Sequence, residues 1–120
     1  MKANQLEQRL IKFAIDIILL CKNLDNSFAS EHLAKQLIRS ATSSALNYGE
    51  ARAAESSRDF IHKMKICTKE LRECLVNLKI QMGANLINDQ TNLDKLLVEN
   101  DELISIFVVS IKTASAKTKI

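Results

Sequence analysis

Apolar residues recur at helical spacing along almost the whole chain. Leu6, Leu10, Phe13, Ile17, Leu20 and Leu24 follow one another at alternating steps of four and three, a heptad seam that predicts a helix over 4–24. Ile11, Ala14, Ile18 and Cys21 form a second stripe beside it, which implies two neighbours for this helix. Turn residues fill 23–27, and Phe28 is expected to plug the end of the fold. A second helix, 31–55, begins after Ser30 as N-cap with Glu31 at the positive end of its dipole. Its seam of Leu33, Leu37, Ser40, Ser44, Asn47, Ala51 and Ala54 turns small and polar after Leu37. Small side chains admit a close neighbour, and the Ser40 and Ser44 hydroxyls can bond back to carbonyls one turn earlier. Gly49 either permits a close helix contact or marks a kink.

The pattern restarts near Glu55, with Ser56 or Ser57 as N-cap and Asp59 in the first turn of a third helix over 58–82. Phe60, Met64, Cys67, Leu71, Cys74 and Leu78 make one seam; Ile61, Thr68, Leu75 and Met82 belong to another. Gly83 is expected to stop the helix as a C′ residue of positive φ. Leu86 and Ile87 of the linker should pack on the bundle end, and Thr91 or Asn92 should cap a fourth helix over 92–114. That helix carries Leu93, Leu97, Ile104, Phe107, Ile111 and Ala114 on its seam, and the tail 115–120 is expected to fray.

Composition agrees with the pattern. The chain has 120 residues, no Pro, two Gly and 47% hydrophobic residues, so turns for many short strands are lacking. The expected fold is all-α, a single domain (1–120) forming an antiparallel up-down-up-down four-helix bundle. From Leu103 to Ile111 the fourth helix is apolar nearly all round, with Ile106, Val108 and Val109 off the seam. Such surface calls for cover, and a homo-oligomer formed through the fourth helix, the first, or both is the expectation.

Charge changes the picture only locally. The net charge of +3 is mild, but Asp89, Asp94, Glu99, Asp101 and Glu102 face only Lys95, whereas Lys112, Lys117 and Lys119 follow with no further acid. The molecule is expected to be electrically two-faced. Three cysteines without a C-x-x-C, no secretory leader and no apolar run long enough for a bilayer make the cytoplasm the expected compartment, without membrane association.

Constellations for chemistry fail when tested. A di-metal bundle site needs two Glu-x-x-His motifs and two further Glu residues, and here only Asp59-x-x-His62 occurs, with His32 isolated. Cys67 and Cys74 are separated by ~10 Å along a helix and cannot chelate one ion. No phosphate loop, nucleophile elbow or dinucleotide fingerprint is present. The chain therefore reads as a non-enzyme, with no cofactor, no metal and no small-molecule substrate. Counting outward from a turn near Ser56 sets Arg39 level with Glu73, and Glu50 level with His62 or Lys63, so opposite charges face each other across the second and third helices.

The run from Arg39 to Glu73 resembles the 23S rRNA intervening-sequence protein family. The resemblance rests on Arg39, Ser40, Ser43, Asn47, Glu50, Ser56, Asp59 and Phe60, followed by Lys63, Lys69, Glu70 and Glu73. It implies an antiparallel bundle assembled as a ring-shaped homopentamer, a ribosome-associated genetic setting, and relatives among accessory proteins of diversity-generating retroelements. Two departures are Ala51, where many members have Gly, and a charge well below that of the retroelement proteins. The expected role is binding of RNA or a ribonucleoprotein, with Arg52, Arg58, Lys63, Lys65 and Lys69 as the candidate phosphate contacts near the hairpin turn. The alternative is a protein-interaction scaffold that touches no nucleic acid.

Overall fold

The computed structural model describes residues 1–118. Four helices run in chain order: α1 (Ala3–Cys21), α2 (Phe28–Arg52), α3 (Ser57–Gly83) and α4 (Gln90–Thr118). α1 packs on α2, α2 on α3, α3 on α4 and α4 back on α1, while the backbones of the diagonal pairs do not approach one another among the described residues. The arrangement is the antiparallel up-down-up-down bundle that the heptad seams predict, and no strand occurs among the described residues.

The core is built from those seams. Leu6, Leu10, Phe13, Ile17 and Leu20 of α1 meet Leu37, Ala41, Tyr48 and Ala51 of α2. Met64, Cys67, Leu71, Cys74 and Leu78 of α3 and Leu93, Leu96, Leu103, Ile104 and Phe107 of α4 complete it, with Ile87 of the linker closing one end. Tyr48 and Phe107 meet edge to face, ring centroids 5.6 Å apart, across the diagonal between α2 and α4. Not all of the second stripe on α1 is covered: Ala14 is buried, but Ile11 and Ile18 are exposed.

Several helix ends differ from expectation. Ser27, not Ser30, caps α2, its hydroxyl accepting from the Ser30 N–H at 3.1 Å. Both serines fit the cap pattern; with Ser27 chosen, Ser30 becomes a fully buried helix residue. Phe28 is then the first residue of α2 and plugs nothing: it is 86% exposed and lies parallel to His32, centroids 6.0 Å apart. α3 runs through Gly83, and the left-handed residue is Asn85, φ 56°. The Leu86 N–H bonds to the Gln81 carbonyl at 2.9 Å and the Asn85 N–H to that of Met82 at 3.1 Å, a Schellman ending with Asn at C′. Asp89 caps α4 by accepting from the Asn92 N–H at 3.1 Å, and the helix continues to Thr118, beyond the predicted 114. Lys119 and Ile120 lie outside the described residues. α2 passes through Gly49 unbroken, and a Cβ there would make only an ordinary 3.9 Å contact with Glu7.

Buried amides tie the helices in register. Asn100 of α4 donates to the Leu71 carbonyl at 2.9 Å, Asn77 of α3 to the Leu33 carbonyl at 3.0 Å, and Gln81 to Asn77 at 2.7 Å. The Asn100 and Asn77 bonds are each specific to one height of one helix against another, because a slip of one turn would leave the buried amide unpaired, and Gln81 braces Asn77 from within α3.

Candidate phosphate-binding face and the α2–α3 polar seam

The polar residues of α2 and α3 separate into a seam between the helices and a stripe on the outer face of α3. In the seam, the guanidinium of Arg39 donates to Glu70 at 3.1 Å and to Glu73 at 3.0 Å. Ser40 donates to Glu73 at 3.1 Å. The Arg39–Glu73 pair predicted by counting from the turn is thus present, joined by Glu70. Asn47 donates to the Ser43 carbonyl at 2.9 Å. Further along, Lys63 meets Glu50 at 3.5 Å, and at the turn Ser56 accepts from the Asp59 N–H at 3.0 Å while Phe60 packs half-buried on the core. Ser44 bonds back to the Ala41 carbonyl as expected, but Ser40 turns outward to Glu73 instead.

The two carboxylates of the seam are held differently. Burial pushes Glu70 above its ordinary value, and the hydrogen bond with Glu73 adds to this against the attraction of Arg39. Burial also pushes Glu73 upward, but its bonds to Glu70, Ser40 and Arg39 outweigh that and hold it below. A carboxyl raised on folding binds protons more tightly in the folded state, so its contribution to stability falls as pH rises from about 4.5 through its folded value. Glu73 acts in the opposite sense below about 4.5. Glu70→Gln keeps the shape while removing a buried charge whose Arg39 partner retains Glu73. It is expected to match or exceed the parent by up to about 1 kcal/mol at pH 7 and to flatten the decline as pH rises above about 4.5 in urea denaturation. A loss of several kcal/mol at pH 7 would show instead that ionised Glu70 stabilises the seam.

The outer stripe of α3 consists of Arg58, His62, Lys65, Lys69, Arg72, Val76 and Ile80, at steps of four or three and all exposed. It contains no acid. Lys65, Lys69 and Arg72, joined by Lys112 from α4, rim a groove of about 880 Å³ whose floor includes Val76, Ile80, Val108 and Ile111. Arg58, Lys65, Lys69, Arg72 and Lys112 have no ion-pair partner among the described residues.

Of the five predicted contacts, Arg58, Lys65 and Lys69 stand free on this stripe. Arg52 is held by Glu7 of α1 at 3.0 Å and Lys63 by Glu50, so these two close helix seams. Arg72 and Lys112 are the members that sequence reasoning missed. Arg72 was detectable by applying to exposed residues the same heptad count used for apolar ones; Lys112 required knowing that α4 flanks α3. The acidic stretch of α4 is partly neutralised, since Arg9 of α1 bonds Glu99 and lies 3.1 Å from Glu102.

Other chemistry is not assembled here. Burial pushes the Cys67 and Cys74 thiols up to about 12 and Cys21 up to about 11, which leaves all three protonated and weakly nucleophilic at neutral pH. No group of three metal-ligating side chains gathers among the described residues, and none of their helices is long and apolar enough to cross a membrane.

The family model described as 23S rRNA-intervening sequence protein matches residues 2–108. Among solved structures, the chain is similar to a protein of unknown function from the S23 ribosomal protein family of Bacteroides thetaiotaomicron. The two are 30% identical, with a TM-score of 0.81 over 93% of this chain and 99% of that one. None of the curated proteins matches.

Proposed function

We propose, on the premise that the chain belongs to the 23S rRNA-intervening sequence protein family, that it is a self-associating helical-bundle protein of the cytoplasm which binds RNA or a ribonucleoprotein through the outer face of α3. The observation that carries this reading is the stripe of Arg58, Lys65, Lys69 and Arg72, acid-free and, with Lys112, unpaired among the described residues. Unpaired cations in a row attract a polyanion such as RNA by releasing its counterions. With about five phosphates neutralised, the logarithm of the binding constant should fall against the logarithm of salt with a slope of about −3.5 for single strands. Binding indifferent to salt would remove the electrostatic basis of the reading.

Self-association is assigned to α1. Ile11, Ile15, Ile18 and Leu19 stand exposed together on its outer face, whereas on α4 the exposed Val98 and Val109 are far apart, Ile106 packs against the core and Val108 faces the α3 groove. Assembly through α1, as the homopentamer that the family resemblance implies, leaves the basic stripe outward. Light scattering should return a multiple of 13.5 kDa, with Ile15→Asp and Leu19→Asp together restoring the monomer; a parent that stays monomeric would leave this apolar face without a role.

The apolar floor of the groove, Val76, Ile80, Val108 and Ile111, supports a second reading, a scaffold that binds a protein partner without nucleic acid. Capture of a partner that survives nuclease treatment would favour it.

A further inference from the structure

Along the groove beside α3, Lys65, Lys69 and Arg72 stand toward the α2–α3 turn and Val76 and Ile80 toward the other end of α3, where an aromatic pair that the fold does not use stands at about the same height on α2. Of the four Phe in the chain, Phe13 and Phe107 are buried and Phe60 is half-buried; Phe28 is 86% exposed. Its ring lies within 3° of parallel to His32 with centroids 6.0 Å apart, and at 86% exposure it is open to a further ring. On α2, His32 is one turn before Gln36, which lines the groove with Arg39. The Asn77–Leu33 hydrogen bond sets His32 level with the C-terminal part of α3, near Ile80. His32, one turn from the groove-lining Gln36, therefore stands roughly 10 Å beyond Arg72 along the helix axis, and Phe28 one turn further.

We infer that the parallel Phe28–His32 pair is a base-stacking platform and that the RNA taken by this face is single-stranded. This rests on the RNA-binding reading above. A phosphate backbone following Arg58, Lys65, Lys69 and Arg72 reaches Val76 and Ile80, against which bases can leave water, and one can stack on the exposed ring of Phe28. A duplex presents phosphates to the cations equally well but keeps its bases stacked inside, so it gains nothing from the ring. Cations supply attraction without regard to strandedness; the aromatic pair supplies the preference.

The test uses the full chain, a labelled RNA single strand of about 12 nucleotides, within the usual span of single-strand sites, the matching duplex, and an abasic strand of equal charge. Phe28→Ala should weaken single-strand binding by about 5- to 150-fold, as expected for loss of one stacked base. The salt slope should stay unchanged, as should affinity for the duplex and the abasic strand. Because the chain has no Trp, Phe28→Trp installs a unique reporter whose fluorescence should be quenched by the single strand and not by the duplex, with affinity retained. Phe28 is exposed, so neither change removes core packing, and circular dichroism checks the fold. Equal affinity of parent and Phe28→Ala for the single strand, or a duplex bound as tightly as the single strand, overturns the inference while leaving RNA binding intact. Failure of every RNA to bind overturns both readings. A Phe28→Ala variant that only dissociates the oligomer assigns the ring to a contact between copies and overturns the inference too.

Discussion

Reversing Lys65, Lys69 and Arg72 together to Glu is expected to lower RNA affinity by about a hundredfold at low salt, each lost contact counting for on the order of 1 kcal/mol. The salt slope for a single strand should flatten from about −3.5 to about −1.4, since Arg58 and Lys112 remain. Folding stability should change little, because the three side chains are exposed and bond no acid. The informative comparison is the pair Arg52→Glu and Lys63→Glu. These residues are bonded to Glu7 and Glu50, so their reversal places like charges together across helix seams. It should destabilise the bundle more than it weakens binding. If both sets reduced affinity equally, attraction would come from overall charge and not from the α3 stripe.

Phe107→Ala should cost about 3–5 kcal/mol of unfolding free energy and lower the melting temperature by roughly 10–20 °C. Phe107 is fully buried, and its edge-on contact with Tyr48 occupies the space between two helices whose backbones do not approach one another among the described residues. No backbone can close on the cavity left behind, because α2 and α4 are held apart by α1 and α3. Phe107→Leu should cost markedly less, since it refills most of the volume. Equal losses for the two variants in denaturant titrations would mean that the core collapses around the site.

The limits of legibility follow from particular residues. The Arg39–Glu73 pair was predictable because an antiparallel hairpin with a known turn fixes heights on both arms, and the rise per residue does the rest. Glu70 was not predicted as the third member, because height alone does not say which of two acids one turn apart rotates inward. Ser27 and Ser30 both satisfy the local rules for an N-cap, and only the course of the chain out of α1 selects Ser27. The selection turns Phe28 from an expected plug into an exposed ring. Gly83 and Asn85 present the same ambiguity at the end of α3, and Asn, which tolerates the left-handed region, takes the place assigned to Gly.

The all-α class, the four helices, their antiparallel order and most core positions are legible in the chain as written. They depend on the period of the α-helix, which every stretch of sequence carries locally. The identity of the free cations, the exposure of Phe28 and the placement of Asn77, Gln81 and Asn100 depend on how far each helix is rotated and how high it stands against its neighbours. Arg52 and Lys69 look alike in sequence; Glu7, 45 residues away from Arg52, neutralises the first, and no acid among the described residues reaches the second. An ion pair needs atoms within a few ångström, and that proximity is a property of the assembled bundle.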